Sequence, residues 1–401
     1  MMARIYGYLV WLVASLFVVY SFCLNTAAAV FSESVKLSLH TDNVGASLAM
    51  GAFILGFACM QIPAGYMLDR FNARYVVSTG VFLLAVGNVL ISYSTTLIAF
   101  SAANFIQGTG ASFAFVSAAV LIAQWFPAKK FPVYFGLTQG LSCMLSGVIH
   151  YYFTIALTIY TWNTLYQGLA VFGFLLLAFS LLIIKSPAQN KASTPNSLKH
   201  SLYLVFTNKQ LVLCSLAAAT SFGVLLAYAG LWYIKIQAYY SIENLQAVII
   251  SGMIFLGIGI GTPTLSWLSN RLKSRTMVIH VSLCLGTMFL ILGIYLPHFD
   301  VNNLIIVRFI SFFIGFFLAG AMLFYTLVNE FSSPETRGVA MSVLNTSVFL
   351  FNTLMMFIPY LFLTAYSKDF FTYLWTLPFF VLVSILLLYF IKDSPSFRED
   401  Y

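Results

Sequence analysis

The chain reads GYMLDRFNAR at residues 65–74, a short charged loop between two long apolar runs. A second loop further along reads SNRLKSR at residues 269–275. The two loops align at a single offset of 201 residues, which pairs Asp69 with Asn270. A charged loop that recurs half a chain later predicts two repeated halves with the same architecture.

The composition is that of a membrane protein. Of the 401 residues, 61% are hydrophobic and only 7% are charged, against about 25% charged in a typical soluble domain. The mean hydropathy is +0.94. Such a chain cannot cover its surface with polar groups, so lipid must be most of its solvent. The five cysteines lie in apolar runs without a C-x-x-C pair, so we expect neither metal nor disulfide chemistry.

Apolar runs of the length that a membrane helix needs, about 20 residues, recur along the whole chain. We predict spans at residues 6–31, 43–66, 75–94, 97–125, 133–155, 162–184, 210–233, 245–268, 276–296, 303–328, 339–363 and 370–391. The first run is too long for the apolar core of a cleavable signal peptide. The sequence therefore predicts an all-α integral membrane protein that keeps its first helix.

A polar stretch at residues 185–209, rich in Lys, Ser, Pro and Asn, is predicted to be a cytoplasmic linker. It separates an N-terminal bundle at 1–184 from a C-terminal bundle with a short tail at 210–401. With both termini in the cytoplasm, 15 of the 19 basic residues fall inside, three fall outside, and Arg308 lies within a span. This bias follows the positive-inside rule and explains the net charge of +8 without nucleic acid.

The first loop resembles the loop between the second and third helices of the major facilitator superfamily of transporters. The family pattern is roughly G-x-x-x-D-R-x-x-x-R/K, and Gly65, Asp69, Arg70 and Arg74 fall on it. Asn72 stands where many members have Gly. The resemblance implies twelve transmembrane helices in two pseudo-symmetric six-helix bundles, and transport by alternating access.

The resemblance also implies a conformational latch. In the family the acid of the first loop lies near the start of the eleventh helix, where a carboxylate gains roughly 0.3–1 kcal/mol. Such a latch would hold the halves together on the cytoplasmic side and favour the outward-open state. Alternatively, the charges of the first loop only solubilise a turn and fix the topology. In the second loop Asn270 replaces the acid, so any lock there should be weaker. The latch candidates are Gly65, Asp69, Arg70, Arg74, Asn270, Arg271 and Arg275.

Arg308 is the most informative polar residue within a span, because a charge in lipid is costly. The resemblance implies that the first, fourth, seventh and tenth helices line the central cavity, which would bring Arg308 near the pathway. There its guanidinium could bind a substrate carboxylate through two hydrogen bonds. Alternatively, Arg308 reaches the outer surface or pairs with Glu33 or Asp42.

Aromatic and amide side chains complete the predicted site. Tyr228 and Trp232 are four residues apart and share a helix face, where they could stack on substrate or belong to an interfacial belt. Amides in spans often only bridge helices. The substrate-binding candidates are Arg308, Tyr228, Trp232, Asn25, Gln107, Gln139, Asn345 and Asn352. Glu33 and His150 are proton-coupling candidates, and uncoupled diffusion fits equally well if neither faces the pathway.

We therefore predict a secondary transporter that imports a small polar solute bearing a carboxylate, such as an amino acid, an organic acid or a carboxylate siderophore, with proton symport as one option. Residues 222–240 loosely resemble a bacterial branch that includes nutrient importers of intracellular pathogens. An exporter of siderophore or drug is the alternative. The fifth helix lacks the G-P-x-x-G-G element of drug/proton antiporters. A non-transporting receptor with this fold is a second alternative.

Catalysis is not expected. The chain has no clustered Asp, Glu and His, and no H-E-x-x-H, P-loop or G-x-S-x-G pattern. We expect no catalytic residue, no metal and no cofactor. The expected partners are a small-molecule substrate, protons if transport is coupled, and the lipid bilayer, with no nucleic acid and a functional monomer. The expected location is a bacterial inner (plasma) membrane, with both termini cytoplasmic.

Overall fold

The structure, a computed structural model, describes residues 2–185, 197–233, 236, 242, 244–295, 303–366, 374–393 and 397. Within these ranges the chain is helical and contains no strand. Helices satisfy their own backbone hydrogen bonds, which lipid cannot do for them. Most of the predicted linker, residues 186–196, lies outside the described residues.

The first six spans are continuous helices. Four of them, α2, α3, α4 and α6, begin with a side-chain cap, since the side chains of Asp42, Asn72, Thr96 and Thr161 each accept a hydrogen bond from a first-turn N–H. The first helix runs past the predicted end at residue 31. The helices are α1 Met2–Ser38, α2 Asn43–Arg70, α3 Ala73–Ser92, α4 Leu97–Trp125, α5 Phe131–Ala156 and α6 Trp162–Ile183.

The later spans are less regular. A short helix, α7 Leu198–Thr207, precedes the seventh span, which begins as α8 Lys209–Ala218 and then alternates π turns at Ala219–Gly223 and Tyr228–Trp232 with α9 Val224–Ala227. The tenth span is α12 Leu304–Leu318 and α13 Leu323–Phe331, joined by a 3₁₀ turn at Ala319–Met322. The remaining helices are α10 Asn244–Arg271, α11 Arg275–Tyr295, α14 Arg337–Tyr366 and α15 Thr376–Leu388.

The predicted all-α membrane fold is confirmed. Eleven described helical spans are long and apolar enough to cross a membrane, when the interrupted seventh and tenth spans are each counted as one. α15 is a shorter apolar helix within the predicted twelfth span, and the start of that span at 370–373 lies outside the described residues.

The chain forms two compact units. The first contains Met1–Pro127, Leu141–Leu202 and Pro334–Ser342, and the second contains Ala128–Gly140, Tyr203–Ser333 and Val343–Tyr401. Each unit thus includes one short segment from the other half of the sequence. The predicted division at residues 1–184, 185–209 and 210–401 stays a prediction.

The repeat seen in the loops is also present in the packing of each unit. In the first unit, a Cβ on Gly56 would overlap a backbone carbonyl of α4, and one on Gly108 would overlap a backbone carbonyl of α2. In the second unit, Gly257 and Gly315 make the same reciprocal contact between α10 and α12. Gly56 and Gly257 are 201 residues apart, the offset of the two loops. Small residues let these membrane helices touch backbone to backbone.

Candidate functional site

Asp69, at the end of α2, binds the first turn of α14 within the first unit. Its Oδ1 accepts a hydrogen bond from the Gly338 N–H at 2.6 Å, and its Oδ2 accepts one from the Val339 N–H at 2.9 Å. The first N–H groups of a helix have no partner inside it, and they favour a negative charge. The positive charge of Arg337 attracts the same carboxylate. This is the contact that the predicted latch requires, and its role as a latch stays a prediction.

Gly65 allows this contact by bringing two backbones together. A Cβ at Gly65 would overlap the Gly338 carbonyl oxygen and the Ser342 hydroxyl, and a Cβ at Gly338 would overlap the Gly65 carbonyl oxygen. A Cβ at Gly338 would also lie 2.8 Å from Oδ1 of Asp69. The two glycines therefore set the distance at which the carboxylate reaches the helix end.

The two arginines of the first loop bind elsewhere. Arg70 Nη1 donates to the Tyr66 hydroxyl at 2.5 Å, one turn back on its own helix. Arg74 Nε donates to the Ile184 carbonyl at 2.9 Å, just past the end of α6. The carbonyls on either side of Ile184 are bound by Tyr6 and Trp125. Arg74 therefore closes the C-terminal end of α6, where a positive charge is favourable.

The second loop makes a different contact. Asn270 Nδ2 donates to the Lys129 carbonyl at 2.7 Å, in the turn that precedes α5, and its Oδ1 accepts from Arg275 Nη1 at 2.6 Å. Asp69 accepts hydrogen bonds from backbone N–H groups, whereas Asn270 donates one to a backbone carbonyl. Asn270 thus brings no charge of its own to this contact, and its role as a weaker lock stays a prediction.

Arg275 is the buried charge of the second loop. Arg275 as a whole is 0% exposed. Nη1 donates to Ser269 Oγ at 2.7 Å, and Nη2 lies 3.2 Å from Glu330 Oε1 at the end of α13. Arg271 instead lies over the ring of Trp267, 5.4 Å from its centre. Of the two arginines, only Arg275 thus joins α10, α11 and α13.

Arg308 lies on α12 and is half-buried. Its Nη2 donates to the side-chain carbonyl of Gln246 on α10 at 2.6 Å. Its Nε has no partner among the described residues, and no ion pair is formed with a described carboxylate. The guanidinium of Arg308 is thus held by a neutral amide.

The acids considered as partners for Arg308 have partners of their own. Glu33 is exposed and pairs with Lys36 at 2.6 Å. Asp42 accepts from the Gly45 N–H at 2.7 Å as the cap of α2. His150, the other proton-coupling candidate, is half-buried, with Nε2 at 3.4 Å from the Cys23 carbonyl oxygen. The coupling roles of Glu33 and His150 stay predictions.

The two aromatic candidates are fully buried in the second unit. Trp232 Nε1 donates to the Met355 carbonyl of α14 at 2.9 Å. The Tyr228 ring lies 4.9 Å from that of Tyr233, and its hydroxyl has no hydrogen-bond partner among the described residues. Both side chains lie at or next to the π turns of the seventh span. Neither is exposed as an interfacial aromatic would be.

The amide candidates differ in how many of their side-chain polar atoms have a hydrogen-bond partner. Asn345 Oδ1 accepts from the Tyr325 hydroxyl at 2.7 Å, and its Nδ2 has no described partner. Asn352, seven residues on, is half-buried with an unpartnered Oδ1. Gln139 is buried and Asn25 is half-buried. The substrate role of these four amides stays a prediction.

Gln107 belongs to a buried polar network in the first unit. It donates through Nε2 to Asn88 Oδ1 at 2.8 Å, and Asn88 Nδ2 donates to the Tyr20 hydroxyl at 2.7 Å. The Tyr20 hydroxyl donates to the Leu169 carbonyl at 2.7 Å. The network joins α1, α3, α4 and α6, which favours the helix-bridging reading of Gln107.

Replacement of Asn88 with alanine should therefore destabilise the first unit. It leaves a buried Gln107 amide and the Tyr20 hydroxyl short of a partner, which we expect to cost about 1–3 kcal/mol. The measurement is equilibrium unfolding in mixed micelles containing SDS. Asn163→Ala is the control, because Asn163 is half-buried and makes a single bond to the Ser92 carbonyl. An equal loss in both variants would contradict the network.

The partners that were not predicted from the sequence include Asn88, Gln246 and Gly338. Asn88 is an amide in an apolar run, the signal that selected Gln107, but it lies on a helix not expected to line the pathway. Gln246 lies one turn inside the start of α10 and carries no special pattern. Gly338 follows Arg337 after a turn marked by Pro334, and a glycine there is a signal for close packing.

Comparisons with known proteins identify relatives of this fold. The sequence model of one family, the Major Facilitator Superfamily, matches residues 10–350, and a second match covers residues 236–397. The multidrug resistance protein MdtL of Escherichia coli O9:H4 (strain HS) is 24% identical over 188 residues, which are 46% of this chain and 48% of MdtL. MdtL of Shigella flexneri gives the same values. The chain thus spans about half the length of the curated relatives it matches.

Two solved structures resemble the chain over nearly its full length. The Escherichia coli fucose:proton symporter FucP has a TM-score of 0.70 at 16% identity, covering 94% of this chain and 97% of FucP. The proton:xylose symporter XylE has a TM-score of 0.75 at 15% identity, covering 97% and 96%. At this identity the likeness shows the fold. The family match covers more than half of the chain, and it is this match that shows the chain to be a multi-pass membrane transporter rather than an enzyme, and a member of the Major Facilitator Superfamily.

Proposed function

We propose that the chain is a secondary transporter that imports a small polar solute bearing a carboxylate, such as an amino acid, an organic acid or a carboxylate siderophore. The observation that carries this proposal is the environment of Arg308. Its guanidinium lies within a span and is bonded to Gln246, a neutral amide. The positive charge is thus uncompensated by any described carboxylate, and an uncompensated charge within a membrane span is unfavourable.

A substrate carboxylate fits this environment chemically. The guanidinium group presents its donors in a planar fork, which matches the two oxygens of a carboxylate. In Arg308, Nε has no described partner and Nη2 holds the amide. A carboxylate could engage Nε and one Nη in parallel hydrogen bonds, each stronger than a bond between neutral groups.

The irregular turns of the seventh and tenth spans are a second feature that suggests a functional role for these two spans. π turns interrupt the seventh span at Ala219–Gly223 and Tyr228–Trp232, and a 3₁₀ turn interrupts the tenth at Ala319–Met322. Such interruptions are frequent at functional sites, and transporters of this kind use discontinuous helices to bind substrate. Tyr228 and Trp232 belong to the second of these π turns.

Arg308→Ala is therefore expected to weaken carboxylate binding by at least about tenfold, since a hydrogen bond to a charged group contributes about 1.5–3 kcal/mol. The first measurement is a thermal-shift screen of the purified protein with amino acids, organic acids, siderophores, sugars and nucleosides. A ligand at 100 times its dissociation constant adds about 2.7 kcal/mol of stability. Lys130→Ala, which removes an exposed charge, is the control and should retain binding.

Gln246→Leu tests the charge of Arg308 separately from its hydrogen bond to the Gln246 amide. This variant keeps Arg308 but removes the amide that occupies Nη2, so a carboxylate ligand should bind as well as before or better. A neutral sugar or a lipophilic cation as the only ligand would contradict the proposal. Unchanged affinity in Arg308→Ala would contradict it as well.

We propose proton symport as the transport mechanism to test first. Two proteins of similar fold are named as proton symporters. Uptake into proteoliposomes with and without an inward proton gradient distinguishes symport from uncoupled passage. We propose in addition that both termini face the cytoplasm of a bacterial cell, which the distribution of basic residues supports, and that the monomer is functional.

Export is the second candidate. It is favoured by one observation, the 24% identity to proteins named for multidrug resistance. Everted membrane vesicles measure the direction, because an exporter accumulates its substrate in them. A receptor that kept the fold would bind a ligand and give no flux in proteoliposomes.

A further inference from the structure

The second loop lacks an acid at position 270, yet a carboxylate is present at the helix that follows it. Asp393, which comes after α15, accepts a hydrogen bond at Oδ1 from the Arg275 N–H at 2.9 Å. The same oxygen accepts from the Thr276 N–H at 3.3 Å. Its Oδ2 accepts from the Ser274 hydroxyl. A residue near the C-terminus thus supplies the charge at the start of α11.

Asp393 and Ser274 together accept hydrogen bonds from the N–H groups of the first turn of α11. The Ser274 hydroxyl accepts from the Met277 N–H at 3.1 Å, as a normal cap does. Asp393 takes the two N–H groups that this cap leaves. Free N–H groups at a helix start favour a negative charge. Asp393 therefore does for α11 what Asp69 does for α14 at Gly338 and Val339.

Phe397, four residues further on, covers the Arg275 side chain. The centre of its ring lies 4.5 Å from the guanidinium carbon, and the residue is 9% exposed. This is the geometry of a cation–π contact, which is stronger when water is excluded. On its remaining sides the guanidinium contacts Ser269, Asn270 and Glu330. The Phe397 ring thus completes the set of contacts around Arg275 that connects the second loop to α13.

The chain just before Asp393 is held in place. The side chain of Gln210, on α8, donates to the Phe390 carbonyl at 3.3 Å and accepts from the Lys392 N–H at 2.7 Å. A side-chain amide that bonds both ways to one turn fixes the direction in which the chain leaves α15. Gln210 thereby helps to hold Asp393 next to the start of α11.

We propose that Asp393 and Phe397, the C-terminal pair, are positioning residues of the second loop. Asp393 holds the start of α11 and Phe397 holds Arg275 against Glu330. A movement that separates Arg275 from Glu330 then requires release of the C-terminal pair. This inference does not depend on the proposed substrate, because every contact lies within the second unit and none involves the site around Arg308.

Hydrogen–deuterium exchange on the full-length protein in lipid nanodiscs tests the proposal. Loss of a helix-capping contact destabilises the first turn of a helix, so Asp393→Asn should accelerate exchange at the amides of residues 275–277 by about tenfold. The amides of the last two turns of α11 should be unchanged. Asp393→Glu, which keeps the charge, should restore at least part of the protection.

Phe397→Leu and Phe397→Tyr form the matched pair for the side-chain contact. Tyrosine keeps the aromatic face and should behave as the unmodified protein, whereas leucine keeps the bulk and should accelerate exchange at the second loop. Because Phe397 acts through Arg275, its replacement by leucine should have less than about twofold effect in an Arg275→Gln background.

Three results would overturn the proposal. The first is unchanged exchange at residues 275–277 in a folded Asp393→Asn variant. The second is equal acceleration over the whole second unit, since this would indicate general loss of stability. The third is the same effect of Phe397→Leu with and without Arg275. If Asp393→Asn does not fold, Ser274→Ala replaces it, and unchanged exchange at residues 275–277 there contradicts the proposal as well.

Discussion

Asp69→Ala should lower the free energy of unfolding of this transporter by about 2–4 kcal/mol. The carboxylate accepts two backbone hydrogen bonds, from Gly338 at 2.6 Å and from Val339 at 2.9 Å. Alanine leaves both N–H groups without their partner at the start of α14, and it leaves the Arg337 charge without the acid that it faces. Hydrogen bonds to charged groups are the stronger ones, so the loss exceeds that of an ordinary cap.

Asp42→Ala is the matched control for this prediction. Asp42 also accepts a backbone hydrogen bond at a helix start, from Gly45 at 2.7 Å, but it is exposed and caps its own helix. We expect a loss of about 0.5–1 kcal/mol there. Equilibrium unfolding in mixed micelles containing SDS measures both variants. Equal losses for Asp69 and Asp42 would mean that the long-range contact adds nothing.

The repeated architecture could be predicted from the sequence because its signals are local. Apolar runs of about 20 residues define membrane helices whatever they pack against. The offset of 201 residues between the charged loops recurs in Gly56 and Gly257, which make the same helix contact in each unit. A repeat in sequence thus became a repeat in packing, since equivalent helices need small residues at equivalent positions.

The partners of the polar residues could not be predicted in the same way. Polar side chains such as Arg74 and Gln107 need hydrogen-bond partners where they are buried, but burial does not select those partners. Arg74 shares the loop with Asp69 and instead binds the end of α6 at Ile184. Gln107 meets Asn88 because α3 and α4 pack side by side. These contacts depend on helix rotation, and hydropathy in an all-apolar run carries little information on rotation.

The second loop shows a limit of reasoning by alignment. Asn270 aligns with Asp69, and it binds the Lys129 carbonyl through an uncharged side-chain amide. The alignment does not indicate that Asp393 supplies a carboxylate at the start of α11. Asp393 lies in a tail that reads as a polar end after the last span. Its contact follows from where α15 ends, which is a property of the folded unit.

Gly65→Ala should strongly destabilise the first unit. The new Cβ would overlap the carbonyl oxygen of Gly338, a backbone atom that cannot rotate away, and the Ser342 hydroxyl. The two helices must then move apart, and Asp69 loses its short hydrogen bonds. Overpacking costs 1–3 kcal/mol and sometimes more, so we expect at least about 3 kcal/mol when the lost Asp69 contact is added.

Gly51→Ala on the same helix is the control, because a Cβ there meets nothing within 4 Å. Alanine is the better helix former by up to about 1 kcal/mol, so this variant should be neutral or more stable. A double-mutant cycle then links the two predictions. If Gly65 acts partly by bringing Asp69 to α14, Gly65→Ala should cost less in an Asp69→Ala background than in the unmodified protein. Strict additivity would mean that the glycine contact and the carboxylate contact stabilise the first unit independently, and that Gly65 does not position Asp69.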